Sequence, residues 1–112
     1  LEHLALGYGG EAMLDYQFGY PPLNNNDGAV DIFAEAALEV LDQEKIDLNV
    51  KPALPAEDFS FFLEKCAGAY FWLGCKKEGS GALHNGTFDM SEEILPLGAT
   101  LLFETAKKGL NK

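Results

Sequence analysis

Residues 56–75 read AEDFSFFLEKCAGAYFWLGC, and the residue pattern changes halfway through this stretch. In its first half, apolar residues recur at helical spacing: Phe59, Phe62, Leu63 and Cys66. This spacing predicts a short helix that begins near Glu57 or Asp58 and ends before Gly68. Residues 69–75 are apolar throughout, which predicts a strand buried on both faces. A helix followed directly by a buried strand indicates an α/β fold.

The sequence before this stretch contains a predicted strand, a break and a helix. Residues 11–18, EAMLDYQF, alternate between apolar and polar, which predicts a half-exposed strand of an antiparallel sheet. Residues 19–28, GYPPLNNNDG, are the strongest break in the chain and mark either a loop or a boundary between two structural units. From residue 30 to 41, apolar residues recur at helical spacing, with Asn26 or Asp27 as the predicted N-cap.

Both ends of the chain are predicted to be helical. Residues 1–10, LEHLALGYGG, read as the end of a helix followed by a glycine cap, so we expect a segment of a longer protein. Near the other end, a helix is predicted to begin around Leu95, with Pro96 in its first turn, and to end at Gly109. Apolar residues on nearly every side of positions 97–103 predict that this helix is largely buried.

Composition argues against several kinds of partner. The chain carries 8 Lys and Arg against 18 Asp and Glu, a net charge of −10, so we expect no nucleic-acid partner. No apolar run approaches the ~20 residues needed to span a bilayer, so we expect no membrane partner. Cys66 and Cys75 are too few for a disulfide framework, and their spacing is not CxxC. We therefore expect free thiols in the reducing cytoplasm.

His84 is the first candidate for a chemical role, in the stretch LHNGTFD at residues 83–89. It follows the predicted buried strand and a glycine-rich loop, which is where α/β folds place their sites. A histidine there can bind zinc, or it can be an ordinary surface residue. His3, the other histidine, has no supporting context.

Carboxylates and possible nucleophiles give a second set of candidates. Glu57 and Asp58 open the predicted helix after a proline loop, where they can support a site or can simply place negative charge at a helix N-terminus. Ser60 and Cys75 could act as nucleophiles, but neither has an obvious base nearby, and the chain has no GxSxG motif.

The order of these motifs resembles the C-terminal end of the metal-dependent amidohydrolases and peptidases that include the aminoacylases, hippurate hydrolase and the N-acyl-amino-acid deacetylases. Three stretches carry the resemblance: AEDFSFFLEKCAGAYFWLG, then LHNGTFD, then EEILPLGATLLFETA. The matching positions are Glu57–Asp58–Phe59, Gly68, Leu73–Gly74, Leu83–His84–Asn85, Glu92–Glu93, Pro96 and Gly98. Upstream, YPPLNNND resembles the exit from the family's lid domain, although it is one residue longer, so no substrate role is assigned to its asparagines.

For the fold, the resemblance implies an α/β architecture: a partial three-layer catalytic domain with a mixed sheet. The last helix end and strand of an α+β lid domain, which makes the family's dimer, would precede it. Residues 1–22 would then be the end of the lid or dimerisation domain, and residues 23–112 the C-terminal part of the catalytic domain. The parent protein would be a homodimer.

For the chemistry, the resemblance implies a dinuclear amidohydrolase that acts on N-acyl amino acids or small peptides. Two divalent metal ions, commonly zinc, manganese or cobalt, would activate the attacking water. His84 would be a metal ligand, while Glu57, Asp58 and Asn85 would lie near the metals or the substrate and support them. The general base and the other ligands would lie in an N-terminal half that has no counterpart here, so the catalytic assignment within this chain is none.

Two interpretations therefore remain open from the sequence. In the first, the chain is a fragment of such an amidohydrolase and is inactive when isolated. In the second, it is a small, non-catalytic α/β domain whose acidic surface and loop at residues 19–28 contact a protein partner. A free-standing enzyme that uses Cys75 or Ser60 has the least support, because neither residue has a predicted base.

Overall fold

The computed structural model describes residues 1–111, and within them the regular structure is helical. The α-helices are α1, Glu2–Gly7; α2, Asp27–Leu38; α3, Phe59–Leu63; and α4, Leu95–Leu110. Two 3₁₀ turns accompany them, at Gln43–Lys45 and Glu92–Ile94. Of the described helices, none is both long enough and apolar enough to cross a bilayer.

The helix starts agree with the local signals in the sequence. Asn26 caps α2, because its side-chain oxygen accepts a hydrogen bond from the backbone N–H of Ala29 at 3.1 Å. The helix α3 begins directly after Asp58, and α4 begins at Leu95 with a proline in its first turn. These three predictions are confirmed, although α2 and α3 each end about three residues earlier than the apolar spacing indicates.

The predicted strands carry no ladder in the described part of the chain. Residues 11–18 and 69–75 have no partner strand there, and the pairing is limited to isolated bridges between Lys76 and Met90 and between Gly81 and Phe88. A strand is stabilised by bonds to its neighbours, and residues 1–111 do not supply those neighbours. The mixed sheet, the three-layer domain and the division at residues 22 and 23 therefore stay predictions.

The core is the contact between α2 and α4. The buried apolar residues of the described chain are Ala36 and Ala37 on α2 and Leu101 on α4. The predicted strand at residues 69–75 lies against both helices. Phe71 stacks on Phe33 of α2 with ring centroids 4.0 Å apart, and Leu73 packs so close to Gly98 of α4 that a side chain at that position would meet it at 2.9 Å.

A charged cluster joins the same two helices at the surface. Lys108 of α4 donates to Glu39, just after α2, at 2.6 Å, and its ammonium lies 3.9 Å from the Glu35 carboxylate. The bonded and charged Lys108 lowers the pKa of Glu39, and Glu39 in turn raises the pKa of Lys108. Exposed pairs of this kind contribute little to stability, so the buried apolar residues, rather than this cluster, hold α2 against α4.

The prediction that α4 is largely buried is wrong, because Leu101 is its only buried residue. The side of α4 that faces away from α2 is exposed, with accessible fractions of 52% for Leu95, 62% for Leu102, 65% for Phe103 and 87% for Leu110. The sequence shows that these positions are apolar, but burial also requires a partner. Residues 1–111 provide a partner for one face of α4 only.

Replacing Leu101 by alanine should destabilise the chain, while the same change at Leu102 should not. Leu101 is 2% exposed, so Leu101→Ala should lower the free energy of unfolding by about 2–4 kcal/mol. Leu102 lies on the same helix but is 62% exposed, so Leu102→Ala should cost less than about 1 kcal/mol. Urea unfolding followed by circular dichroism measures both, and equal losses would contradict the assigned α2–α4 interface.

Candidate functional site

The Glu57 carboxylate is held by two hydrogen bonds, one to each oxygen. The Tyr70 hydroxyl donates to its Oε2 at 3.1 Å, and the backbone N–H of Phe59 donates to its Oε1 at 3.3 Å. The Phe59 N–H is the largest of the contributions that lower the pKa of Glu57. Partial burial, together with the neighbouring Glu57 carboxylate, raises the pKa of Tyr70. These contacts orient the Glu57 carboxylate and favour its charged form.

Asp58 and Ser60 are placed differently from Glu57. Asp58 occupies the N-cap position of α3, but its side chain is exposed and accepts no hydrogen bond from the helix. Ser60 is buried, and its hydroxyl donates to the backbone carbonyl of Glu57 at 2.7 Å. This bond occupies the only proton of the Ser60 hydroxyl, so the geometry gives no support to Ser60 as a nucleophile.

His84 lies on an exposed tight turn with an unusual backbone conformation. The N–H of Asn85 donates to the carbonyl of Ala82 at 3.0 Å, which closes the turn around His84. His84 is the one residue other than glycine in the described chain with a positive φ, at 65°. Residues with a side chain adopt this left-handed region at a cost in free energy. In native structures, backbone strain of this kind is concentrated at functional sites.

The Asn85 side chain fixes the far side of this turn. Its Oδ1 accepts hydrogen bonds from the backbone N–H of Thr87 at 2.9 Å and from the Thr87 hydroxyl at 2.8 Å. The carbonyl of Thr87 then accepts from the N–H of Gly81 at 3.0 Å. A side chain at Gly81 would overlap the Thr87 hydroxyl and crowd Asn85, so a larger residue there would displace the Thr87 side chain. Asn85 thus shapes the loop that presents His84.

Sequence reasoning did not single out Gly81 or Thr87. The available signal is the order Asn-Gly-Thr at residues 85–87, because an asparagine side chain readily accepts from a backbone N–H two residues further on. The need for glycine at residue 81 has no such local signal. It depends on contact with the Thr87 hydroxyl, six positions away, and the glycine-rich stretch at residues 76–82 is equally typical of a mobile loop.

The structure does not bring the two halves of the predicted site into contact. Within residues 1–111, no hydrogen bond or ion pair joins His84 or Asn85 to Glu57 or Asp58. The described chain also holds no cluster of three or more His, Cys, Asp or Glu side chains that could bind a metal ion. Three or four protein ligands are typical of a zinc site, and the described residues bring no such set together around His84.

An open cavity of about 460 Å³ lies beside the His84 loop. Its lining includes Cys75, Ser80, Leu83 and Phe88. On its rim, an ion pair with Lys77 lowers the pKa of Asp89. The Cys75 thiol makes no hydrogen bond to a base in the described chain, so the cavity gives no support to Cys75 as a nucleophile.

Comparison with known proteins gives a consistent set of relatives. Residues 3–108 match the sequence profile of peptidase family M20/M25/M40. Thermostable carboxypeptidase 1 of Saccharolobus solfataricus is 35% identical over 96 residues, which is 83% of this chain and 23% of the relative. Hippurate hydrolase of Campylobacter jejuni is 34% identical over 90 residues, 80% of this chain and 23% of the relative.

An N-acetyldiaminopimelate deacetylase of Streptococcus pneumoniae is 33% identical over 94 residues, 82% of this chain and 23% of the relative. The chain thus spans about a quarter of the length of the curated relatives that it matches. No solved structure matches it significantly. The resemblance predicted from the motifs is confirmed, and because the profile covers nearly the whole sequence, this chain belongs to peptidase family M20/M25/M40.

Proposed function

We propose that the protein carrying this chain hydrolyses the amide bond of N-acyl amino acids or small peptides. Membership of a peptidase family supports hydrolysis as the reaction class. The names of two relatives, hippurate hydrolase and N-acetyldiaminopimelate deacetylase, support an N-acyl amino acid as the substrate class. A cytoplasmic homodimer is part of the same proposal.

The observation that carries the proposal is the backbone at His84. A histidine with a φ of 65°, on an exposed turn that Asn85 and Thr87 hold in place, presents its imidazole outward from a fixed loop. Glycine adopts a left-handed backbone at lower cost, so the use of a histidine at this position supports a role for its imidazole. The same residue occupies the family's Leu-His-Asn motif.

In this proposal, the chain contributes one part of a larger site. His84 supplies one ligand to a centre of two divalent ions, zinc, manganese or cobalt, whose other ligands lie outside residues 1–111. Such ions supply a Lewis acid and an activated water when bound. Glu57 and Asp58 support the site near the metals or the substrate, and Asn85 keeps the His84 turn in shape. The general base lies outside the chain.

The isolated 112-residue chain should be inactive, and the protein that carries it should depend on His84. Assays with N-acetyl amino acids and hippurate, in the presence of cobalt or manganese, should show no turnover by residues 1–112. In the intact protein, His84→Ala should lower kcat/KM by at least about 100-fold, since loss of an outer-sphere partner of a metal ligand already costs 10–100-fold. His3→Ala is the matched control and should retain activity.

Either of two results would count against the proposal. Clear turnover by residues 1–112, lost on His84→Ala, would place the whole catalytic apparatus inside this chain. Unchanged activity and metal content in the intact His84→Ala protein would make the histidine structural. The second result would favour the non-catalytic interaction domain instead.

Replacing Gly81 should weaken the proposed site, because a side chain at this position would disturb the turn that carries His84. Gly81→Ala would push a methyl group into Thr87 and Asn85, so the turn that presents His84 should shift. We expect kcat/KM of the intact protein to fall by about 10–100-fold, together with weaker metal retention.

Gly86→Ala is the control for this substitution, because no atom lies within 4 Å of the added methyl group. It should leave activity within about twofold of the unmodified protein, in line with the small effect of most surface changes. Equal losses from the two alanines would mean that loop flexibility, rather than the Gly81–Thr87 contact, supports the site.

A further inference from the structure

Asn25 binds the backbone of Tyr70 with both ends of its side-chain amide. Its Nδ2 donates to the Tyr70 carbonyl at 2.8 Å, and its Oδ1 accepts from the Tyr70 N–H at 2.8 Å. An antiparallel strand partner would make the same pair of bonds. The amide thus takes the place of a neighbouring strand, and it does so across 45 positions of sequence.

The residues beside Asn25 show that this contact is specific. The backbone N–H of Asn26 donates to the carbonyl of Gly68 at 2.9 Å, while its side chain caps α2. Residues 25 and 26 are therefore attached both to α2 and to the segment 68–70. Asn24, with the same side chain and the same exposure, makes no hydrogen bond in the described chain.

From Tyr70, the contact continues to Glu57. The Tyr70 ring lies against Phe59, with centroids 5.9 Å apart, and its hydroxyl reaches the Glu57 carboxylate at 3.1 Å. Glu57 and Asp58 are the carboxylates that face this hydroxyl. The position of the Tyr70 backbone therefore sets the position of the donor to Oε2 of Glu57.

We propose that Asn25 is a positioning residue that acts through Tyr70 to orient the Glu57 carboxylate. The inference rests on the proposed function only where it gives Glu57 a supporting role in the site. Asn25 acts indirectly. Its amide binds the Tyr70 backbone, and the Tyr70 hydroxyl donates to one oxygen of the Glu57 carboxylate. The backbone N–H of Phe59 donates to the other oxygen. The segment at residues 19–28, predicted to be a loop or a boundary between two structural units, thereby takes part in positioning Glu57.

The first test follows the Tyr70 and Glu57 titrations by NMR in the full chain, with tyrosine and glutamate carbons labelled. In the unmodified chain, Tyr70 should titrate above and Glu57 below the ordinary pKa of its residue type. Asn25→Ala should lower the Tyr70 pKa and raise the Glu57 pKa, both towards those ordinary values. Asn24→Ala should change neither. Tyr70→Phe should raise the Glu57 pKa on its own, because it removes one donor.

Asn25→Gln provides a second variant if Asn25→Ala fails to fold. The glutamine keeps an uncharged amide but is one methylene longer, so it cannot make both bonds to the Tyr70 backbone in the same geometry, and the Tyr70 and Glu57 pKa changes should have the same signs and smaller sizes. Unchanged Tyr70 and Glu57 titrations in a folded Asn25 variant would overturn the proposal. Equal changes in Asn24→Ala would also overturn it, since Asn24 makes no contact with Tyr70.

The second test uses the kinetics of the intact protein. Asn25→Ala should lower kcat about 10-fold with little change in KM, as expected for loss of a supporting contact rather than of a binding group. If Asn25→Ala changes the Tyr70 and Glu57 titrations in a protein without amidase activity, the positioning role of Asn25 is supported and the proposed function is contradicted. If the intact protein is active and Asn25→Ala leaves its kcat unchanged, the positioning role of Asn25 is overturned and the proposed function stays in place.

Discussion

The helix α2 packs against α4 through faces that bury Ala36, Ala37 and Leu101, and this is the most extensive contact between helices in residues 1–111. Residues 69–75 lie along both helices through the Phe33–Phe71 stack and the close approach of Leu73 to Gly98. Tyr70 is therefore placed where Asn25 can bind its backbone and where its hydroxyl can reach Glu57. The Ser91 N–H donates to the Cys75 carbonyl at 3.0 Å, which connects the end of this segment to the start of α4 and encloses the loop that carries His84.

The same packing leaves much apolar surface without a partner. The chain has an accessible surface of 9503 Å², whereas a compact monomer of 12.2 kDa is expected to have roughly 6,000 Å². Its radius of gyration is 20.2 Å, against about 13 Å for a compact domain of this length. The outer face of α4 repeats apolar residues at helical spacing: Leu95, Ala99, Leu102, Phe103, Ala106 and Leu110. A surface of this kind is typical of a core that continues beyond the contacts that residues 1–111 can make.

Sequence reasoning succeeded where the physical cause is local. The Asn26 cap, the start of α3 after Asp58 and Pro96 in the first turn of α4 each depend on a few neighbouring residues. It failed where the cause is distant. The apolar pattern of α4 predicted burial, but a pattern cannot say whether both faces have partners. The Asn25–Tyr70 contact joins residues 45 positions apart, and the requirement for glycine at residue 81 depends on the Thr87 hydroxyl. The paired sheet and the lid domain stay predictions, because the described chain holds no ladder that would test them.

The central proposal is that this chain supplies a single ligand, His84, to a metal site whose other ligands lie outside residues 1–111. Calorimetric titration of residues 1–112 with zinc or cobalt, beside the intact protein, tests it most directly. We predict two tightly bound ions per chain in the intact protein, and no saturable binding by residues 1–112 at micromolar metal, with or without His84→Ala. Saturable binding of two ions by residues 1–112 alone, abolished by His84→Ala, would contradict the account, because a complete site would then exist within this chain.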